Sequence, residues 1–215
     1  MKKLKYLAPI LIAVACLGLQ QAKATIVYSL GQGNSAIAGY PGPYGTASVT
    51  LVGNTATITF TAANTAAYQY LFGDGGSVAV NVNGAFTLGA ITGTQLPGFG
   101  PTTYSNGGAG NEDGFGSFNL SINSNGGYTS ASNSISFTLT GSWADEASVL
   151  IANSNGFAVA AHIFVAAFPA DPNAGALATG FASTGGGHIP DGGATVMLLG
   201  AALGALGMAR RFLRS

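Results

Sequence analysis

From Thr25 to Ile189 the chain contains no lysine and no arginine. All seven basic residues, Lys2, Lys3, Lys5, Lys23, Arg210, Arg211 and Arg214, lie near its two ends. Nucleic-acid binding needs a basic footprint to neutralise phosphates, and the long middle of the chain has none. Direct attraction to anionic headgroups or acidic polysaccharide is disfavoured for the same reason. The acidic residues Asp74, Glu112, Asp113, Asp145, Glu146 and Asp171 do lie in the middle, so that region is a sparsely charged anion inside a formally neutral chain. Cysteine is almost as scarce. Cys16 is the only one, which leaves residues 25–189 without disulfides or thiolate metal ligands. Histidine is limited to His162 and His188, and no G-x-S-x-G occurs, so a nucleophilic triad has little to stand on.

The ends read as addresses. Lys2, Lys3 and Lys5 form a positive n-region ahead of an apolar stretch from Leu7 to Leu19. Ala22-Lys23-Ala24 gives signal peptidase its small-x-small site, with cleavage after Ala24. Cys16 stands in a loose lipoprotein-like box, Ala13-Val14-Ala15-Cys16, which lacks the usual Leu three places earlier; a small apolar h-region residue is the plainer reading. At the other end His188-Ile189-Pro190-Asp191-Gly192-Gly193-Ala194-Thr195 precedes an uncharged run ending at Ala209, then Arg210-Arg211-Phe212-Leu213-Arg214. A helix over residues 194–209 would reach about 24 Å, slightly short of a roughly 30 Å hydrocarbon core. It can insert if flanking glycines and Phe212 share the boundary. Basic residues at both ends stay cytoplasmic, so the segment between them is translocated.

Ile189-Pro190-Asp191-Gly192-Gly193, an Ala/Leu/Gly helix and Arg210-Arg211 together resemble the VPDSG-CTERM sorting domain, a relative of the PEP-CTERM signals. Ile189 stands for the consensus Val and Gly192 for Ser. The resemblance implies an exosortase-type sorting enzyme in a Gram-negative cell, transient residence of the C-terminal helix in the inner membrane, and release or surface attachment after the tail is processed. Such signals often occur in organisms that make exopolysaccharide, which makes extracellular polysaccharide a candidate partner. A plain C-terminal anchor is the alternative.

Between the addresses the sequence reads as strands. Ala47 to Val52 and Ala56 to Thr61 alternate apolar or small with polar residues around the turn Gly53-Asn54, a hairpin signature. Residues 25–30, 77–83, 86–88, 115–122 and 135–140 carry similar patterns, and 157–165 is apolar apart from His162, as in a strand buried on both faces. Residues 93–111 read as a Gly/Pro-rich loop, and 144–152 as at most a short helix. The fold expected is all-β, an antiparallel β-sandwich of jelly-roll or immunoglobulin-like kind. It would divide into a signal peptide at 1–24, a β-sandwich at 25–182, a Gly-rich spacer at 183–189 and a sorting tail at 190–215. Asp113-Gly114-Phe115-Gly116-Ser117-Phe118-Asn119, Phe157 to Ile163 and Thr179-Gly180-Phe181 also resemble small exported β-domains that precede such tails. That resemblance implies a surface protein and not an enzyme.

Candidate chemistry in the middle is sparse. His162 suits a hydrogen-bonded core position better than a base or ligand. Glu112-Asp113 and Asp145-Glu146 are the carboxylate pairs a glycosidase would need, but neighbours on a strand face opposite ways. Turn and helix-start roles account for both pairs. Calcium is the cation the oxygen-rich loops Gly73-Asp74-Gly75-Gly76 and Asn111-Glu112-Asp113-Gly114 would take, although neither has EF-hand spacing. Tyr40, Tyr44, Tyr68, Tyr70, Tyr104, Tyr128 and Trp143 are candidates for a sugar-stacking platform, which would make a lectin-like module; Tyr68 and Tyr70 have the spacing for one strand face. Uncharged strands further suggest self-association through sheet edges. The expected role is structural or adhesive, with a carbohydrate-binding module or a glycan-active enzyme as alternatives.

Overall fold

The computed structural model describes residues 24–184 and 189–190. Residues 1–23 of the expected signal peptide, with Cys16 and Ala22, lie outside the described residues. So do Asp191, Gly192, Gly193, Arg210, Arg211 and the apolar run 194–209. Among the described residues no helix is long and apolar enough to cross a membrane. The chain there is all-β and antiparallel, an arrangement consistent with a β-sandwich.

One run of strands comprises β1 (Thr25–Ser29), β3 (Gly45–Val52), β4 (Thr55–Ala62), β7 (Phe86–Gln95) and β10 (Ser132–Gly141), paired in the order β1-β3-β4-β10-β7. A two-residue strand β13 (Ile189–Pro190) pairs with the outer side of β1. The second run contains β2 (Gln32–Gly33), β5 (Tyr68–Phe72), β6 (Val78–Val80), β8 (Thr103–Glu112), β9 (Gly116–Asn125), β11 (Val159–Ala167) and β12 (Ala178–Ser183). There β2 pairs with β12 and β12 with β11; β5 and β6 share the far side of β11, and β6 leads through β9 to β8. The single pair Ser132↔Phe72 joins the two runs.

Alternation explains the core. On β4 the residues Ala56, Ile58 and Phe60 are buried while Thr57 and Thr59 are half-buried, and β3 and β10 repeat the pattern. The main cluster joins Ile26, Val49, Ile58, Phe60, Ile135 and Phe137 of the first run to Val80, Ile122, Val159 and Ile163 of the second. Each such side chain removed from water stabilises the fold by about 1.5–3 kcal/mol. The expectation that β11 is buried on both faces holds. Val159, Ala161, Ile163 and Val165 face the main core, Ala160 packs with Phe115 and Phe118, and Phe164 packs with Leu71 and Ala131.

The Gly53-Asn54 hairpin is present, with Val52↔Thr55 its last pair. Two expectations need correction. Residues 93–111 are not a loop, because β7 runs to Gln95 and β8 covers Thr103–Glu112. Glycines supply those strands with backbone pairing but no apolar alternation. Residues 144–152 form no α-helix; a 3-10 turn, Glu146–Ser148, is closed by a capping box between Asp145 and Ser148.

Candidate functional site

The outward side of the first run is a ladder of hydroxyls. Register places Ser29, Thr46, Thr61, Ser134 and Thr94 in one row across five strands. The next row is Val27, Ser48, Thr59, Ser136 and Thr92, and a third runs Thr25, Thr50, Thr57 and Thr138. Rows recur every second residue, roughly 6.6 Å apart, and neighbours in a row lie about 4.8 Å apart. Thr59 Oγ1 and Ser136 Oγ are hydrogen-bonded at 2.8 Å, and Ser134 Oγ donates to the Phe60 carbonyl at 3.0 Å. Gly89 lies beneath Thr138, where an added Cβ would come within 2.4 Å of Oγ1. No charged side chain belongs to these rows. The face is thus a neutral array of hydroxyls and methyls. In sequence these residues are merely the polar half of each strand, and the T-x-S-x-T and T-x-T-x-T periods at 46–50 and 57–61 are their signal.

A second set of polar groups lies behind the second run. The two oxygen-rich loops do meet there: Gly76, at φ +61°, carries the Glu112 carboxyl against its Cα, so that a Cβ would lie 2.5 Å from both oxygens. Glu112 is 3 % exposed, and burial pushes its carboxyl up to about 7. No hydrogen bond or ion pair among the described residues offsets that burial. The other carboxylates diverge from it. Asp113 accepts from Asn34 Nδ2 at 3.1 Å, and Asp74 Oδ1 points toward Gly127. Among the described residues no three His, Cys, Asp or Glu side chains gather where they could hold a metal. Asp145 and Glu146 belong to the capped turn that packs beside β1 and β3, whereas Glu112 ends β8.

His162 lies on β11 next to this region. Its ring stacks on Phe181 at 4.6 Å, its Nε2 is 2.7 Å from Thr179 Oγ1, and its buried Nδ1 has no partner. Burial lowers its pKa, a shift that Asp74 and the Gly73 and Gly75 carbonyls oppose. The ring is half-buried between Phe164 and Phe181, where the sequence points to a hydrogen-bonded core residue.

The aromatic platform is not assembled. Tyr44 and Tyr70 are buried, with their hydroxyls donating to the carbonyls of Ile37 and Pro41. Tyr68 packs edge-on against Tyr40, Tyr128 against Phe99 and Phe164, and Trp143 Nε1 donates to the Asn83 carbonyl. Tyr68 and Tyr70 flank Gln69 on a strand buried along most of its length, so the expected one-face pair does not reach solvent together.

The ends of the exported segment meet. Ala24, the residue before the expected cut, precedes β1, and β1 pairs with Ile189–Pro190, where the sorting signature begins. Residues 190–212 match the VPDSG-CTERM motif, a PEP-CTERM-like sorting signal. Such a signal implies export, a cell-surface or extracellular fate, and processing by an exosortase-type enzyme. No curated protein and no solved structure matches the chain.

Proposed function

We propose that the exported domain is an adhesive protein of the cell surface or extracellular matrix, and that its hydroxyl face lies against neutral polysaccharide. The array of Ser and Thr rows on the first run carries this reading. A sheet face offering hydroxyl donors and acceptors between threonine methyls suits the alternating polar and apolar faces of a sugar polymer. The absence of any Lys or Arg from residues 25–189 argues for a neutral polymer over an acidic one. The domain is delivered by the signal peptide and the sorting tail, and takes no catalytic part in the matrix it joins.

The test is co-sedimentation of tail-processed protein, recovered from the cells that make it, with an insoluble neutral glucan and with an acidic uronate gel. Retention on the neutral polymer is expected, with loss of retention in Ser48→Glu and Ser136→Glu, whose side chains lie in the middle row. Folded wild-type protein that stays in the supernatant with both polymers would overturn the reading. A glycan-active alternative draws support from the raised carboxyl of Glu112 alone. New reducing ends formed by wild type and not by Glu112→Gln would favour it.

A further inference from the structure

The hydroxyl rows of the first run have a direction and a polarity, and both narrow the polymer they can hold. The row Ser29, Thr46, Thr61, Ser134 and Thr94 crosses five strands with a hydroxyl on each, and every step in it is an antiparallel pair. Neighbouring strands are about 4.8 Å apart. Because adjacent strands run in opposite directions, like environments return along the row at every second strand. Thr61 and Thr94 are exposed and the other three are half-buried, so the row is open to solvent. Many of its protons are already committed. Ser48 Oγ donates to the Thr59 carbonyl at 3.3 Å, and Ser134 Oγ to the Phe60 carbonyl at 3.0 Å. Thr94 Oγ1 donates to Asn133 Oδ1 at 2.7 Å, and one proton is used within the Thr59–Ser136 pair. A hydroxyl has one proton and two lone pairs. What these side chains still offer outward is lone pairs, so the face accepts more than it donates. Charge complementarity then favours a partner rich in O–H donors and free of anionic oxygens.

We infer that the occupant is a β-1,4-linked chain of neutral sugars with free hydroxyls, lying across the strands with one sugar on each. This rests on the reading of the hydroxyl face as a polysaccharide surface, and adds the linkage and the direction. A sugar in an extended β-1,4 chain advances by nearly the spacing of neighbouring strands. Successive sugars turn over, so the chain repeats at every second sugar as the row repeats at every second strand. Chains linked β-1,3 or α-1,4 coil and hold no straight run of that length. Along a strand the match is lost, because side chains on one face recur at about 6.6 Å. Adjacent strands are turned by about 20–25°. A single chain can wind along such a row, whereas the flat face of a crystal would meet it only at the centre. The sugars supply the O–H donors and the row supplies the lone pairs.

The test uses tail-processed protein recovered from the cells that make it. Co-sedimentation is measured with amorphous β-1,4-glucan, with the same glucan after O-acetylation, and with a gel of β-1,3-glucan. Retention on the free β-1,4-glucan alone is expected, because acetyl groups remove the donors and the β-1,3 chain coils. Retention on the β-1,3-glucan, alone or equally, overturns the linkage and leaves the face a general polysaccharide surface. Equal retention on the acetylated glucan overturns the donor argument and the proposal with it. Retention on none of the three removes the polysaccharide reading as well as this one. Direction is read by adding cellohexaose to protein carrying carbon-13 in its threonine methyls. The methyl signals of Thr46, Thr61 and Thr94, which lie on three strands of one row, should shift together, while that of Thr57 stays in place. Shifts confined to Thr57, Thr59 and Thr61 of β4 would lay the chain along a strand and overturn the proposal.

Discussion

Glu112 is the residue whose chemistry departs most from what its neighbours in sequence suggest. Asn-Glu-Asp-Gly looks like an exposed turn, and Asp113 behaves as one expects by bonding Asn34. Glu112 instead turns inward onto Gly76, a contact only glycine permits at φ +61°. Burial pushes its carboxyl from the ordinary 4.5 up to about 7. The folded state therefore holds the proton more tightly, and the associated stability is complete below pH 4.5 and lost as pH rises through 7. The loss is on the order of 3 kcal/mol at about 1.4 kcal/mol per unit. His162 slopes the other way, because burial lowers its pKa. Denaturant melts at pH 5 and pH 8 should show wild type weakening with pH, while Glu112→Gln, which mimics the protonated form, loses most of that dependence. Equal pH slopes for the two proteins would mean that the carboxyl is solvated. Gly76→Ala should destabilise at both pH values, since its Cβ meets the carboxyl and its φ disfavours any side chain.

At the level of elements, legibility followed the side-chain period. β3, β4 and β10 could be read because Val49, Ile58, Phe60, Ile135 and Phe137 alternate with Ser and Thr, and these residues form the core. β8 could not, because Gly107, Gly108 and Gly110 leave its pairing to the backbone. The hydroxyl face was half legible: each strand shows its own Ser/Thr period, but the rows exist only through cross-strand register, which no single strand encodes. The inward turn of Glu112 was not legible at all, since it depends on Gly76 lying opposite in space. Phe137 sits where these considerations meet, stacked on Phe60 at 6.5 Å and paired with both Ile58 and Ile91. Phe137→Ala should cost about 3–5 kcal/mol in urea unfolding as a cavity opens between the two runs. A cost below about 1 kcal/mol would show that the runs are not packed on a common core there.

For the whole molecule, the charge distribution decides how the exported domain responds to its surroundings. Of the seven Asp and Glu residues only Asp191 lies outside residues 25–189, so seven minus one leaves six carboxyl groups with no Lys or Arg among them. Ion pairing within the domain therefore has no cationic side chain to draw on except a histidine. Stability must come from apolar burial and strand hydrogen bonds, and the remaining carboxylates repel one another weakly across the surface. Salt screens that repulsion over a Debye length of about 10 Å at 0.1 M and leaves the core untouched. The melting temperature of the tail-processed protein should thus hold steady or rise slightly as sodium chloride increases, and sulfate should raise it further by strengthening burial. Chelator and added calcium should leave it unchanged, because Asp74, Glu112 and Asp113 point apart. A melting temperature that falls steeply with sodium chloride, or rises with calcium, would require a bound cation holding the loops together. The Glu112–Gly76 contact would then be where to look for it, and the carboxyl would be ionised in the folded protein instead of protonated.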